Sequence, residues 1–137
     1  AAVDVVPGDV VIGAGTTVVH RGGIIGKPDD VDHAVGILRR LQGDVHEVLT
    51  GWTVRRGSEE RFGITESRVR FRPRSEDELR TYVTETRPFD KAGAYALQAD
   101  DGWLVESVEG SRSNVMGLPV ADVVEALRAF GVERSAP

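Results

Sequence analysis

A chain of 137 residues, 40% of them hydrophobic, can bury one core but not two, and a chain without a single cysteine has no disulfide, thiol nucleophile or zinc-thiolate site. Its formal charge of −5 argues against non-specific nucleic-acid binding, which draws on surplus lysine and arginine, and no apolar run is long enough to span a bilayer. The expectation is a cytoplasmic protein with neither a nucleic-acid nor a membrane partner. A nucleotide remains possible, because local cations, helix N-termini or a divalent metal can offset its phosphates.

The chain opens on Ala1-Ala2-Val3-Asp4 without an initiator Met, the start expected of a fragment, a processed product or a chain that begins partway along a longer fold. Val10 to Val19 is β-branched and interrupted by Gly13-Ala14-Gly15, which reads as a buried strand bent or bulged at the two glycines. Arg21-Gly22-Gly23 makes a turn. Asp30 is an N-cap, and Val31, Ala34, Val35, Leu38 and Leu41 share one face of a helix that ends at Gly43. His46 to Val54 and Arg61 to Phe71 read as a hairpin joined by the loop from Arg55 to Glu60. Ser75 and Glu78 form a capping box that opens a short helix carrying Leu79, Tyr82 and Val83 inward, closed by Pro88. Tyr95 to Gln98 and Trp103 to Val108 read as a second hairpin around Asp100-Asp101-Gly102. Pro119 starts the last helix, with Val123, Val124, Leu127 and Phe130 inward and Gly131 as its stop, and a mobile tail follows from Glu133 to Pro137. Hairpins interspersed with helices make the class α/β with a mixed sheet, in one domain over residues 1–137.

Few residues can carry chemistry. Lys27 stands just before a helix N-terminus, where an ammonium and free backbone N–H groups can meet a phosphate; the bland alternative is an exposed loop lysine before Pro28. Asp90 and Lys91 are an adjacent acid and base in a loop, free to turn into a site, or else a turn cap and a solvated lysine. Arg68, Arg70, Arg72 and Arg74 alternate with Val69 and Phe71, as an anion-binding face or as a solvated one balanced by nearby Glu59, Glu60, Glu66 and Glu76. His20, His33 and His46 have no metal-ligand spacing, and Trp52 and Trp103 suit packing.

Three segments in this order, Gly13-Ala14-Gly15-Thr16-Thr17-Val18-Val19 leading to Gly26-Lys27-Pro28, then Asp90-Lys91-Ala92-Gly93-Ala94-Tyr95-Ala96, then Ser113-Asn114-Val115-Met116-Gly117-Leu118-Pro119, resemble the Maf family of nucleoside triphosphate pyrophosphatases. The likeness runs from about Val10 to Phe130 and implies a Maf/ITPase-like elongated mixed sheet flanked by helices around a central cleft. The family's opening Ser-x-Ser-Pro-Arg-Arg segment, on its first strand, has no match here, so the chain corresponds to roughly the C-terminal two thirds of that fold. Loss of that strand would expose a sheet edge and an apolar face, and a homodimer is expected.

The resemblance implies hydrolysis of dTTP or UTP, or of modified pyrimidine nucleotides, to the monophosphate and pyrophosphate with Mg²⁺ or Mn²⁺, a reaction that cleanses the nucleotide pool. It implies that Lys27 and Lys91 hold phosphates, that Asp90 serves catalysis and the metal, with Glu109 as a further acid near the site, and that Thr16 and Gln98 select the base. The run Ala92 to Gln98 and Thr16 match the dTTP/UTP type rather than the 7-methyl-GTP type. Where the family reads Gly-Ala-Asp-Thr this chain has Gly15, and a glycine neither holds a metal nor takes a proton, a loss of about 10² to 10⁴ in rate if the aspartate is the general base. Gln42, Asp44 and Arg87 also depart from the family pattern. The alternative function is therefore a catalytically impaired relative that binds nucleotide or acts as a partner protein.

Overall fold

The computed structural model describes residues 10–97 and 100–130. Strand β1 (Val10–His20) turns through Arg21-Gly22 into β2 (Gly23–Ile25); both turn residues have positive φ, 50° and 79°, the twist that suits a two-residue hairpin. Helix α1 (Val31–Leu41) follows, with the Asp30 side chain accepting from the His33 amide, and Gly43 leaves it at φ 68°. Strands β3 (Val45–Arg56) and β4 (Glu59–Phe71) form a long hairpin about Gly57-Ser58. The Ser75 and Glu78 capping box opens α2 (Glu76–Thr86), and Arg87, left-handed at φ 49°, ends it before Pro88. A short 3-10 turn (Ala92–Ala94), β5 (Val105–Glu109), α3 (Arg112–Val115) and α4 (Val120–Ala129) complete the described chain.

The sheet runs β2-β1-β3-β4-β5, and each described pairing is antiparallel. The α/β class is observed, with helices laid against one sheet. On β1 and β3 the even-numbered side chains, Val18, His46, Val48, Thr50 and Val54, are buried, and on β4 the odd ones, Ser67, Val69 and Phe71. Period-two alternation then gives one sheet face to the helices and leaves the other open. The main core lies between that covered face, α1, α2 and the segment 92–97; a smaller cluster joins Val54 to Val123 and Ala126 of α4.

Three expectations are corrected. The glycines of β1 make no bulge: pairing with β3 is unbroken from Val10 opposite Arg56 to Val19 opposite Glu47, and most of the strand is half-buried rather than buried. Gly13 instead admits Thr53, whose Oγ1 would lie 3.0 Å from an added Cβ. The second hairpin does not form. Residues Tyr95 and Leu97 are buried without being a strand, and β5 pairs with β4, because the Asp100 carboxylate accepts from the amides of Gly102, Leu104 and Val105 and folds the chain back early. Pro119 is the N-cap of α4 rather than its first helical residue. Gly131 and the tail 133–137 lie outside the described residues.

Arg68 and Arg70 of the arginine row are solvated, whereas Arg72 donates to the Gly102 carbonyl and Arg74 to the Trp103 carbonyl. Arg68 meets Glu47, Arg70 and Arg72 meet Glu106, and Arg74 meets Glu78, all at 3.7 to 3.9 Å. These acids are not the ones sequence proximity suggested. Trp103 packs between Tyr82, stacked at 5.5 Å, and the Arg74 guanidinium, 4.6 Å from its ring.

Candidate functional site

Thr16 on β1, Lys27 after β2, Asp90 and Lys91 after α2, and Met116 and Gly117 after α3 line one open cleft of about 270 Å³. Its apolar wall is made by Val18, Val48, Ala92, Tyr95 and Val115. Residues up to a hundred positions apart meet here: the Gly93 amide donates to the Gly26 carbonyl at 3.3 Å, and the Thr16 hydroxyl lies 3.5 Å from the Gly117 carbonyl.

Under the cleft is a polar layer that sequence reading missed. Thr16 Oγ1 and Thr50 Oγ1 share a hydrogen bond of 2.9 Å, made possible by the register that sets the two residues opposite each other. Asn114, fully buried, donates from Nδ2 to the carbonyls of Val48 and Thr65, 3.1 Å each, and to Ser67 Oγ at 3.0 Å. It thereby pins α3 to β3 and β4, and its Oδ1 has no partner among the described residues. An asparagine inside the Ser113 to Pro119 segment was the available signal; its partners were not legible without the register.

The cleft carries two cations and one carboxylate. Lys91 Nζ lies 3.9 Å from Asp90 Oδ2, at the edge of an ion pair, with Lys91 half-exposed and Asp90 largely so. The N-terminus of α1 does not join them. Its residues do not line the cleft, its amide at His33 is taken by Asp30, and Asp29, Asp30 and Asp32 crowd it with negative charge. Glu109 pairs across from Arg68 at the end of β5 and is also not on the cleft. Among the described residues no three His, Asp or Glu side chains gather as a metal cage. Asp90 is the one carboxylate of the cleft lining, so these side chains alone do not make a cage for a divalent ion, and any such ion would need further oxygen ligands from outside them.

Gly15 does not line the cleft. Thr16 and Val18 do, so alternation along β1 sets position 15 on the open sheet face, opposite Gly51, with nothing within 4 Å of an added Cβ at either glycine. Gln98 lies outside the described residues. The histidines are scattered, as the sequence suggests: His20 Nε2 donates to the Asp44 carboxylate at 2.9 Å, His33 Nδ1 accepts from the Asp29 amide, and His46 meets the Tyr95 hydroxyl at 2.7 Å. The His20 hydrogen bond, the Val45 amide and Arg21 hold the Asp44 carboxyl far below the usual carboxylate range. Burial, with His20 nearby, pushes the His46 imidazole down to about 4, and burial pushes the Tyr95 phenol up.

The family model described as Maf-like protein matches residues 1–130. The chain belongs to the Maf family. It is similar to a dTTP/UTP pyrophosphatase of Hahella chejuensis, 48% identical over 124 residues that cover 90% of this chain and 62% of that protein. Others are a dTTP/UTP pyrophosphatase of Aromatoleum aromaticum, 43% identical over 91% of this chain and 61% of that protein, and one of Geotalea uraniireducens, 46% identical over 88% and 63%. The chain thus spans a little over three fifths of the length of these relatives. Among the described residues no helix is long and apolar enough to cross a membrane.

Proposed function

We propose that this Maf-family chain binds dTTP or UTP, or modified pyrimidine nucleotides, in the cleft and hydrolyses the bond between the α and β phosphates, a reaction of nucleotide-pool cleansing. Water adds to the α phosphorus, the bridging oxygen leaves with the β phosphorus, and the products are the nucleoside monophosphate and pyrophosphate. The observation that carries this reading is the meeting of Thr16 and Lys27, Asp90 and Lys91, and Gly117, from three distant segments, on one cleft. Lys27 and Lys91 supply the countercharge for the phosphates, the apolar wall of Val18, Val48 and Tyr95 suits a base, and Thr16 offers its hydroxyl to the base edge. Gln98 is assigned to the same edge from the family likeness. Asp90 would hold a divalent cation, Mg²⁺ or Mn²⁺, whose positive charge would offset the charge that develops on the pyrophosphate leaving group. Titration with UTP with and without Mg²⁺, followed by assay of pyrophosphate release, tests it: metal-dependent release supports the reading, and no binding of either UTP or dTTP overturns it.

A second reading is a relative that binds nucleotide without turnover, alone or as a partner protein. It is favoured by the single carboxylate that lines the cleft among the described residues, Asp90. Binding of UTP with no pyrophosphate released would select it.

The proposed assembly is a homodimer in the cytoplasm, free of membrane and nucleic acid. Its support is the open sheet face and its margin, where Ile24, Phe62 and Ile64 are 78%, 76% and 76% exposed, and the charge of −5. A concentration-independent monomer in sedimentation would overturn the dimer.

A further inference from the structure

The segment that carries Asp90 and Lys91 has an unfavourable backbone. Gly93 and Ala94 follow one another at φ 78° and 63°, and an alanine in the left-handed region is held there only by its surroundings. Local hydrogen bonds are few: Lys91 donates to the Pro88 carbonyl, Ala94 to the Lys91 carbonyl and Gly93 to the Gly26 carbonyl, at 3.1 to 3.3 Å. The next residue is different. Tyr95 is 5% exposed, its ring lines the cleft, and its hydroxyl reaches through the core to His46 Nε2 at 2.7 Å.

His46 is fully buried on β3 and touches no part of the cleft. Phe71 completes a triangle of edge-on rings, 4.8 Å from His46 and 4.7 Å from Tyr95, with 5.3 Å between His46 and Tyr95. His46 Nδ1 has no partner among the described residues, so the imidazole's only hydrogen bond there is the one to Tyr95. With an uncharged imidazole, one of the two groups donates and the other accepts. A buried histidine kept for packing alone would be better replaced by an apolar residue, since each unpaired polar atom costs stability.

We propose that His46 is a positioning residue of the cleft: through the Tyr95 hydroxyl it fixes the loop of Asp90 and Lys91 at its height against Lys27. This rests on the cleft being the nucleotide site. Rotation of Tyr95 away from His46 would release the left-handed pair Gly93-Ala94 and, with it, the contact to Gly26 that spans the cleft's two cationic loops.

Two measurements on Tyr95→Phe and His46→Gln separate the outcomes. Glutamine sets an amide nitrogen near the place of Nε2, so it keeps the bond, whereas Tyr95→Phe removes the hydroxyl and keeps the ring. In amide hydrogen exchange, Tyr95→Phe is expected to speed exchange at Gly93 and Ala94 about tenfold or more while Val48 and Val69 of the central ladder stay within about twofold, and His46→Gln to stay close to the parent. In titration with pyrophosphate, the expected result is affinity about tenfold weaker for Tyr95→Phe and close to the parent's for His46→Gln. Exchange that rises equally in loop and ladder, or that does not change in the loop, overturns the positioning role. A parent chain that binds neither pyrophosphate nor UTP overturns the nucleotide-site reading and the role in binding, while the exchange pattern still decides the latch. If Tyr95→Phe does not fold, His46→Phe serves in its place under the same criteria.

Discussion

The Gly93 amide donates to the Gly26 carbonyl across 3.3 Å, so the loop of Lys91 and the loop of Lys27 are one hydrogen-bonded unit. Gly93 is suited to it in two ways: φ is 78°, and an added Cβ would meet the Tyr95 ring at 3.2 Å and Val18 Cγ1 at 3.4 Å. Gly93→Ala is therefore expected to cost about 1 to 3 kcal/mol of stability, from the left-handed backbone and from crowding against buried neighbours. Urea denaturation measures the loss. Titration with UTP should show weaker binding in the same variant, because the ring that must yield lines the cleft; unchanged affinity would mean that the two loops are not coupled.

Acid should unfold the protein through His46 first. Its folded value is lowered to about 4 from 6.5, so between those values the unfolded chain holds a proton that the folded chain does not. Stability is then full above pH 6.5 and falls as pH drops toward 4, by up to about 3 kcal/mol. Asp44 acts in the same sense lower down: its carboxyl is depressed, so its contribution is present above the ordinary value of 3.8 and is lost below it. Urea denaturation at intervals from pH 7.5 to 4.5 should show stability falling through this window, and His46→Phe should flatten the curve. A parent whose stability is constant across the window would refute the assignment.

The helices and long hairpin were legible because their signals are local. Asp30, the spacing of Ala34, Val35, Leu38 and Leu41, and the Ser75-Glu78 box each speak for themselves within a turn or two. Tyr95 and Leu97 misled for the opposite reason: a short apolar run is buried alike as strand or as coil, and Asp100 decided between them by claiming three amides. The cleft residues Thr16, Lys27, Asp90 and Lys91 were legible as motifs. Thr50, Asn114 and the bond from His46 to Tyr95 were not, since each depends on a partner thirty or more positions away. Strand parity sets Gly15 on the other face of the sheet from Thr16.

Thr16 has its hydroxyl 2.9 Å from Thr50 and on the cleft, so removing it should affect ligand more than fold. Thr16→Val keeps the shape and leaves Thr50 the Asn114 carbonyl at 3.5 Å as an acceptor. The expected cost is about 1 kcal/mol in stability and about fivefold to tenfold in affinity for UTP, the worth of one lost hydrogen bond. A variant that binds UTP like the parent would remove Thr16 from the base edge.

Gly15→Asp tests which face of the sheet does the chemistry. Position 15 faces away from the cleft, opposite Gly51, with no atom within 4 Å of the new Cβ, and its backbone φ is not positive. The variant should therefore fold like the parent, within about 1 kcal/mol, since both glycine and aspartate are poor strand formers. Its carboxylate cannot reach a metal beside Asp90 without β1 rotating out of its unbroken ladder with β3. Pyrophosphate release from UTP with Mg²⁺ is thus expected to match the parent within about twofold, against the 10² to 10⁴ that a restored general base would supply. A gain on that larger scale would mean that the phosphates react on the open face, across from Gly51, and that the cleft of Lys27 and Lys91 holds some other part of the nucleotide.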